Sequence, residues 1–155
     1  MINPLKFNTL FIKYEGAFRT SPPMLNLVPL NDGVMKVQLN IDLIPHPQFG
    51  KSKARIREWY NSNGQLIQYR YCWEEKRDPP GNICSFENEH NHGVETDPHH
   101  THPVLNDRKP YDNNYNVRSV EDFLDFVSSY ILTGKKYRSP ILNSTSSSTP
   151  HTTPL

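Results

Sequence analysis

Hydrophobic and polar positions alternate most clearly at 36–43, KVQLNIDL, where Val37, Leu39, Ile41 and Leu43 are interleaved with Lys36, Gln38, Asn40 and Asp42. A period of two marks a strand with one buried face and one wet face. The NDG before it (31–33) signals a turn, and MLNLVPL (24–30) reads as a short strand ended by Pro29. After the Pro- and Gly-broken loop at 44–52 come KARIREWY (53–60), a tight NSNG turn (61–64), QLIQYRYCW (65–73), a second turn at 75–82 and ICSFE (83–87). Short turns join antiparallel neighbours, so these segments predict a meander. Farther on, Val120, Phe123, Leu124, Val127 and Ile131 fall at helical spacing, with Ser119 and Asp122 forming the start signal and Gly134 the stop. The segment 4–16 is ambiguous between helix and strand and reads better as a helix or irregular lead-in. The fold class that follows is α+β: a four- or five-stranded antiparallel sheet packed by a C-terminal amphipathic helix.

Domain organisation comes from where the apolar residues stop. The segment 139–155, SPILNSTSSSTPHTTPL, is mostly Ser, Thr and Pro. It cannot bury enough apolar surface to offset its ordering entropy and is expected to be disordered, which leaves one domain over 1–138. No internal repeat is visible. The 17 basic and 16 acidic residues give a net charge of +1, so any attraction to phosphate has to come from a local patch. Cys72 and Cys84 are too few for a disulfide framework and fit a reducing compartment. No apolar run approaches membrane length and no secretory signal opens the chain, so a cytoplasmic protein is expected.

The chemistry-bearing residues concentrate in 85–103, SFENEHNHGVETDPHHTHP, which holds five of the seven histidines and four carboxylates. On an extended segment positions i and i+2 share a face, so His90 can pair with His92 and His100 with His102. With Glu87 these could supply a divalent metal, for which Glu87, His90 and His92 are the candidate ligands, although the spacing matches no standard zinc template. The same residue types suit RNA cleavage through the ribose 2′-hydroxyl without a metal. One group removes the hydroxyl proton, a second protonates the leaving oxygen, and a cation steadies the phosphorane. Glu58 or Glu87, a histidine from His99, His100 and His102, and Arg57 or Arg70 can fill those roles. Strand parity sets Glu58 on the face of Ala54, Ile56 and Tyr60, opposite Arg55, Arg57 and Trp59. A carboxylate there is either a rim group paired to an arginine such as Arg70 or part of a pocket. Tyr69, Tyr71 and Trp73 are a core set whose polar tips can line a cavity mouth, and a nucleobase would stack on them.

The order of these residues resembles the TumE family of small bacterial toxins, over about 33–132. That family's pattern has Y-x-Y-H-W, then W-D-N followed by paired histidines, then P-H-H-x-H. YRYCW, SFEN and DPHHTH stand in those places, and SVEDFLDFV follows. Carried onto this chain, the resemblance marks Glu58, Tyr69, Tyr71, Trp73, Asn88, His92, His99, His100 and His102. Cys72 stands where the pattern has a histidine, Glu87 for the aspartate, Phe86 for the tryptophan, Asn91 for one paired histidine and Ser85 for an arginine. These departures mark a divergent member. The resemblance implies a toxin of a two-gene module with a helix-turn-helix antitoxin as its partner. The expected catalytic set is Glu58, Tyr71, His99, His100 and His102, and the expected substrate-binding set is Arg57, Tyr69, Arg70, Trp73 and Asn88. The leading expectation is a metal-independent endoribonuclease. A metal-binding hydrolase built on the histidines and a non-enzymatic binding module are the alternatives.

Overall fold

The computed structural model describes residues 2–20, 23–107, 109 and 112–139. One antiparallel sheet runs through it as a meander. Its strands are β1 (Asn26–Pro29), β2 (Met35–Asp42), β3 (Ser52–Tyr60), β4 (Leu66–Glu75), β5 (Gly81–Glu87), β6 (His100–His102) and β7 (Asp112–Asn113), and each pairs with its neighbours in chain order. This corrects the expected four or five strands. Six strands have three or more residues, and β7 adds a two-residue seventh. Of the two additional strands, β6 comes from the histidine-rich segment, whose polar composition hides a strand from periodicity, and β7 follows it at 112–113. His100, Thr101 and His102 are all buried, and β5 supplies their ladder.

Two helices cover one face. The α2 helix (Val120–Thr133) starts at a capping box in which Ser119 accepts from the Asp122 amide and Asp122 from the Ser119 amide, and it ends at Gly134 in the left-handed conformation. Its buried stripe is Val120, Phe123, Leu124, Val127, Ser128 and Ile131. The ambiguous N-terminal segment is the helix α1 (Pro4–Tyr14), capped by Asn3 and burying Phe7, Leu10, Phe11 and Tyr14. Lys13 of α1 pairs with Glu121 of α2 at 2.8 Å. Under the helices lie Val37, Leu39 and Ile41 of β2, Ala54 and Ile56 of β3, and Tyr69, Tyr71 and Trp73 of β4, with Tyr71 stacked on Phe123 at 5.4 Å between centroids. Ile67, on the same parity as the aromatic trio, lies near the hairpin turn and is 49 % exposed.

Ser139 is buried, and the expected tail beyond it, His151 included, lies outside the described residues. Among the described residues no helix is long and apolar enough to cross a membrane.

Candidate functional site

The face away from the helices is polar, and the register of the sheet composes it. One row of directly opposed positions runs Gln38, Arg57, Arg70, Glu87 and His100 across β2 to β6. The next runs Asn40, Arg55, Cys72, Ser85 and His102. Neighbouring strands stand about 4.8 Å apart, so groups distant in sequence become lateral neighbours. Arg57 and Arg70 are directly opposed like charges, an arrangement that costs stability in a sheet unless other groups compensate. Arg70 approaches Glu87 at 3.7 Å and Glu89 at 3.5 Å, while Arg55 is held by Glu74 at 2.5 Å. Arg57 makes no ion pair among the described residues, and burial beside Arg55 and Arg70 pulls its pKa down. Lys36 lies over the Trp59 ring at 5.0 Å on the same surface.

At the β5–β6 end of these rows, Glu87, His100 and His102 converge. Each offers one ligand-type atom, and the three atoms lie within 4.8 Å of one another. The Glu87 carboxylate is 2.7 Å from Nε2 of His102 and 4.0 Å from Nε2 of His100. All three residues are buried. The His100 Nδ1 donates to the Pro98 carbonyl at 2.9 Å, which fixes the proton on that nitrogen and leaves Nε2 as a bare lone pair. That Nε2 and the Nδ1 of His102 are both buried without a hydrogen-bond partner. Burial alone would raise the Glu87 pKa, but the His102 hydrogen bond and the Arg70 charge outweigh it and the net shift is downward. Burial lowers the His100 pKa against the opposing pull of the Pro98 carbonyl and Glu87.

His92 belongs to the exposed segment that follows β5, and its ring lies 4.2 Å from His100 and 6.3 Å from His102 between centroids. Asp97 fastens that segment by accepting the amides of His92, Gly93 and Val94. His90 is farther out, 6.4 Å from His92 between centroids and near Glu89, so it does not join the buried cluster.

The remaining expected site residues lie on the helix-covered side. Glu58 is fully buried there and accepts from the hydroxyls of Tyr60 at 2.5 Å and Tyr71 at 2.6 Å. A rim glutamate paired to Arg70 is therefore a correction: strand parity sends the two side chains to opposite faces, and phenols replace the arginine. Burial, with the Glu58 charge, raises the Tyr60 and Tyr71 pKa values, so both stay donors. Tyr69 stacks on Tyr71 at 4.8 Å and hydrogen-bonds Nδ1 of His99 at 3.0 Å, while Asn114 donates to its oxygen at 3.1 Å. Burial pushes the Tyr69 pKa up to about 12 and, with Arg118 nearby, lowers that of His99. Trp73 donates to Ser52 at 3.0 Å inside the core. Asn88 accepts the Tyr69 amide and donates to the Ile67 carbonyl, tying the end of β5 to β4.

The expected constellation is thus divided by the sheet. His100, His102, Glu87, Arg57, Arg70 and nearby His92 gather on the face away from the helices, with Glu87, His100 and His102 buried within it. Glu58, Tyr69, Tyr71, Trp73 and His99 face the helices. Sequence reasoning missed Arg55, Glu74 and Lys53, which form an ion-pair group on the open face. Of the two histidine pairs that the sequence set beside Glu87, the structure brings it His100 and His102, so the narrower ligand set Glu87, His90 and His92 is corrected. The alternation in KARIREWY and the H-x-H at 100–102 were the signals available. Cys72 and Ser85, two of the departures from the family pattern, are small buried groups in the row that ends at His102.

No curated protein and no solved structure matches this sequence. A family model described as Toxin TumE matches residues 33–131, which spans β2 to α2 and every residue of the polar cluster; the chain belongs to the TumE toxin family.

Proposed function

We propose that this toxin acts on RNA, cutting phosphodiester bonds by proton transfer on the open face of the sheet, and that a helix-turn-helix antitoxin restrains it in the cytoplasm. The observation that carries the proposal is the row Arg57, Arg70, Glu87 and His100 with His102 beside it. Like-charged guanidiniums set side by side are a feature a polyanion would compensate. Each buried imidazole has one nitrogen engaged, His100 by a carbonyl and His102 by a carboxylate, and one nitrogen unpartnered. This is the arrangement of an oriented acid or base.

In this scheme Arg57 and Arg70 hold the phosphate and spread the charge of the phosphorane. The Glu87–His102 pair accepts the 2′-hydroxyl proton, with the carboxylate stabilising the imidazolium. A second imidazole, His100 or the exposed His92 beside it, first takes up a proton from solvent on its free nitrogen and then delivers it to the leaving 5′-oxygen. The scheme itself calls for no metal. Glu58 and the tyrosines are supports for the sheet rather than reacting groups.

The test is cleavage of end-labelled RNA by purified protein in EDTA. Wild type is expected to cut, with His100→Ala and His102→Ala losing at least about a hundredfold, the scale of a general acid or base. Glu58→Gln is expected to retain cleavage at a temperature where it is folded. Intact RNA with wild type, or unchanged toxicity of His100→Ala in cells, would overturn the proposal.

A further inference from the structure

We propose that Glu87, His100 and His102 also form a binding site for one transition-metal ion of the zinc class, and that the bound ion and RNA cleavage exclude each other. The exclusion rests on the proposed function; the binding site does not.

Three features support the site. The ligand-type atoms converge within 4.8 Å on two paired strands, a scaffold that holds them without loop ordering. The Nε2 of His100 is buried and unpartnered, a state that costs stability unless something occupies the lone pair. Its Nδ1–H is pinned on the Pro98 carbonyl, the outer contact that orients metal-bound imidazoles.

The donor chemistry selects the ion. Two imidazole nitrogens and one carboxylate oxygen suit zinc or a close relative, whereas magnesium and calcium prefer all-oxygen shells. Three protein ligands leave a fourth position open, and the His92 ring lies 4.2 Å from that of His100. Arg70 approaches Oε2 of Glu87 and His102 approaches Oε1, so an ion taking Oε1 leaves the arginine pair in place. Zinc bonds of about 2.0–2.1 Å put tetrahedral ligands about 3.3 Å apart, so Glu87 and His102 need part only slightly from their 2.7 Å contact. The ion takes the bare Nε2 of His100 and the Nε2 of His102 that now bonds Glu87, which moves the His102 ring proton onto its Nδ1. Both imidazoles then lose the bare lone pair that the proton-transfer scheme uses. A nitrogen that coordinates an ion cannot accept or deliver a proton, so occupancy silences cleavage.

The experiment titrates the full-length metal-free protein with cobalt(II), followed by visible absorption, and with zinc, followed by calorimetry and by melting temperature. One ion per chain with tetrahedral cobalt bands is expected, and zinc is expected to raise the melting temperature of wild type where magnesium does not. His100→Ala and His102→Ala are expected to weaken binding by more than about a hundredfold, beyond the 10- to 100-fold of an outer contact. His99→Ala, on the other side of the sheet, and His90→Ala are expected to keep the ion. Substoichiometric uptake by wild type with no thermal shift would overturn the site, as would unchanged binding by the His100 and His102 variants. RNA cleavage is then measured in EDTA and after one equivalent of zinc. Loss of cleavage with zinc supports the exclusion, and cleavage that is indifferent to bound zinc overturns it. Cleavage only with zinc overturns both the exclusion and the metal-free scheme. Absence of cleavage under both conditions overturns the proposed function and the exclusion together, while cobalt binding still decides the site.

Discussion

At Glu58 the fold sets an ionisable group inside its core. Its carboxylate has no access to solvent, and the hydroxyls of Tyr60 and Tyr71 replace the water it lost on folding. Tyr71→Phe removes one of those donors and leaves the other, so it is expected to destabilise by about 1–3 kcal/mol. At roughly 2–4 °C per kcal/mol for a chain of this size, calorimetry should record a fall of several degrees. The phenols also set an alkaline limit. Their pKa values in the folded state lie above the ordinary 10.0, so folding is favoured while they are protonated. That stability is fully present below about pH 10, where an unfolded tyrosine begins to ionise, and is lost as pH rises further. Wild type is therefore expected to lose melting temperature above about pH 10, and Tyr71→Phe to lose less over the same interval. Equal slopes for the two proteins would show that the buried phenols do not set the limit.

At the scale of elements, β2 and α2 are legible because each has an apolar face of regular period, and β3 to β5 because turn signals bound them. Val37, Leu39 and Ile41 repeat every second residue, and Phe123, Leu124, Val127 and Ile131 follow helical spacing. The α1 helix is less legible, because PLKFNTLFIKY fits either period until it docks against α2. The β6 strand is illegible for a different reason. His100, Thr101 and His102 have no hydrophobic alternation, and only pairing with β5 and β7 makes them a strand. Site membership follows the same logic. Parity within a strand reveals that Glu58 and Arg57 part company, but the alignment of Glu87 with His100 requires the register of strands separated by a long loop. That loop depends on Asp97, which accepts three consecutive backbone amides. These bonds hold the Asp97 pKa below the usual aspartate range. Asp97→Ala should leave the β2–β5 amides as protected as before while those of His92, Gly93 and Val94 exchange measurably faster in deuterium-exchange mass spectrometry. Unchanged exchange at those three amides would assign the loop's order to other contacts.

For the molecule as a whole, a net charge of +1 conceals an uneven distribution. Arg55, Arg57, Arg70, Lys36 and Lys53 share the open face, whereas Lys13 on the helix side is committed to Glu121. Glu74 answers Arg55 and Lys53, and Glu87 and Glu89 answer Arg70, which leaves Arg57 as the guanidinium of that face without an ion-pair partner among the described residues. A phosphate contact releases condensed counterions, so the logarithm of the binding constant falls with the logarithm of salt, by about 0.7 per phosphate neutralised on a single strand. An unpaired cation contributes its full share to that slope, because no internal carboxylate must be displaced first. Binding of a cleavage-resistant single-stranded RNA, measured across a salt series, should therefore show a slope shallower by about 0.7 in Arg57→Ala than in wild type. Lys13→Ala should leave the slope unchanged, since that ammonium lies across the sheet from the proposed track. A slope that Arg57→Ala does not alter would remove the open face as the RNA contact. The two predictions can part company: chemistry lost in His100→Ala with the slope intact would mean that RNA meets the histidines by a path not lined by Arg57.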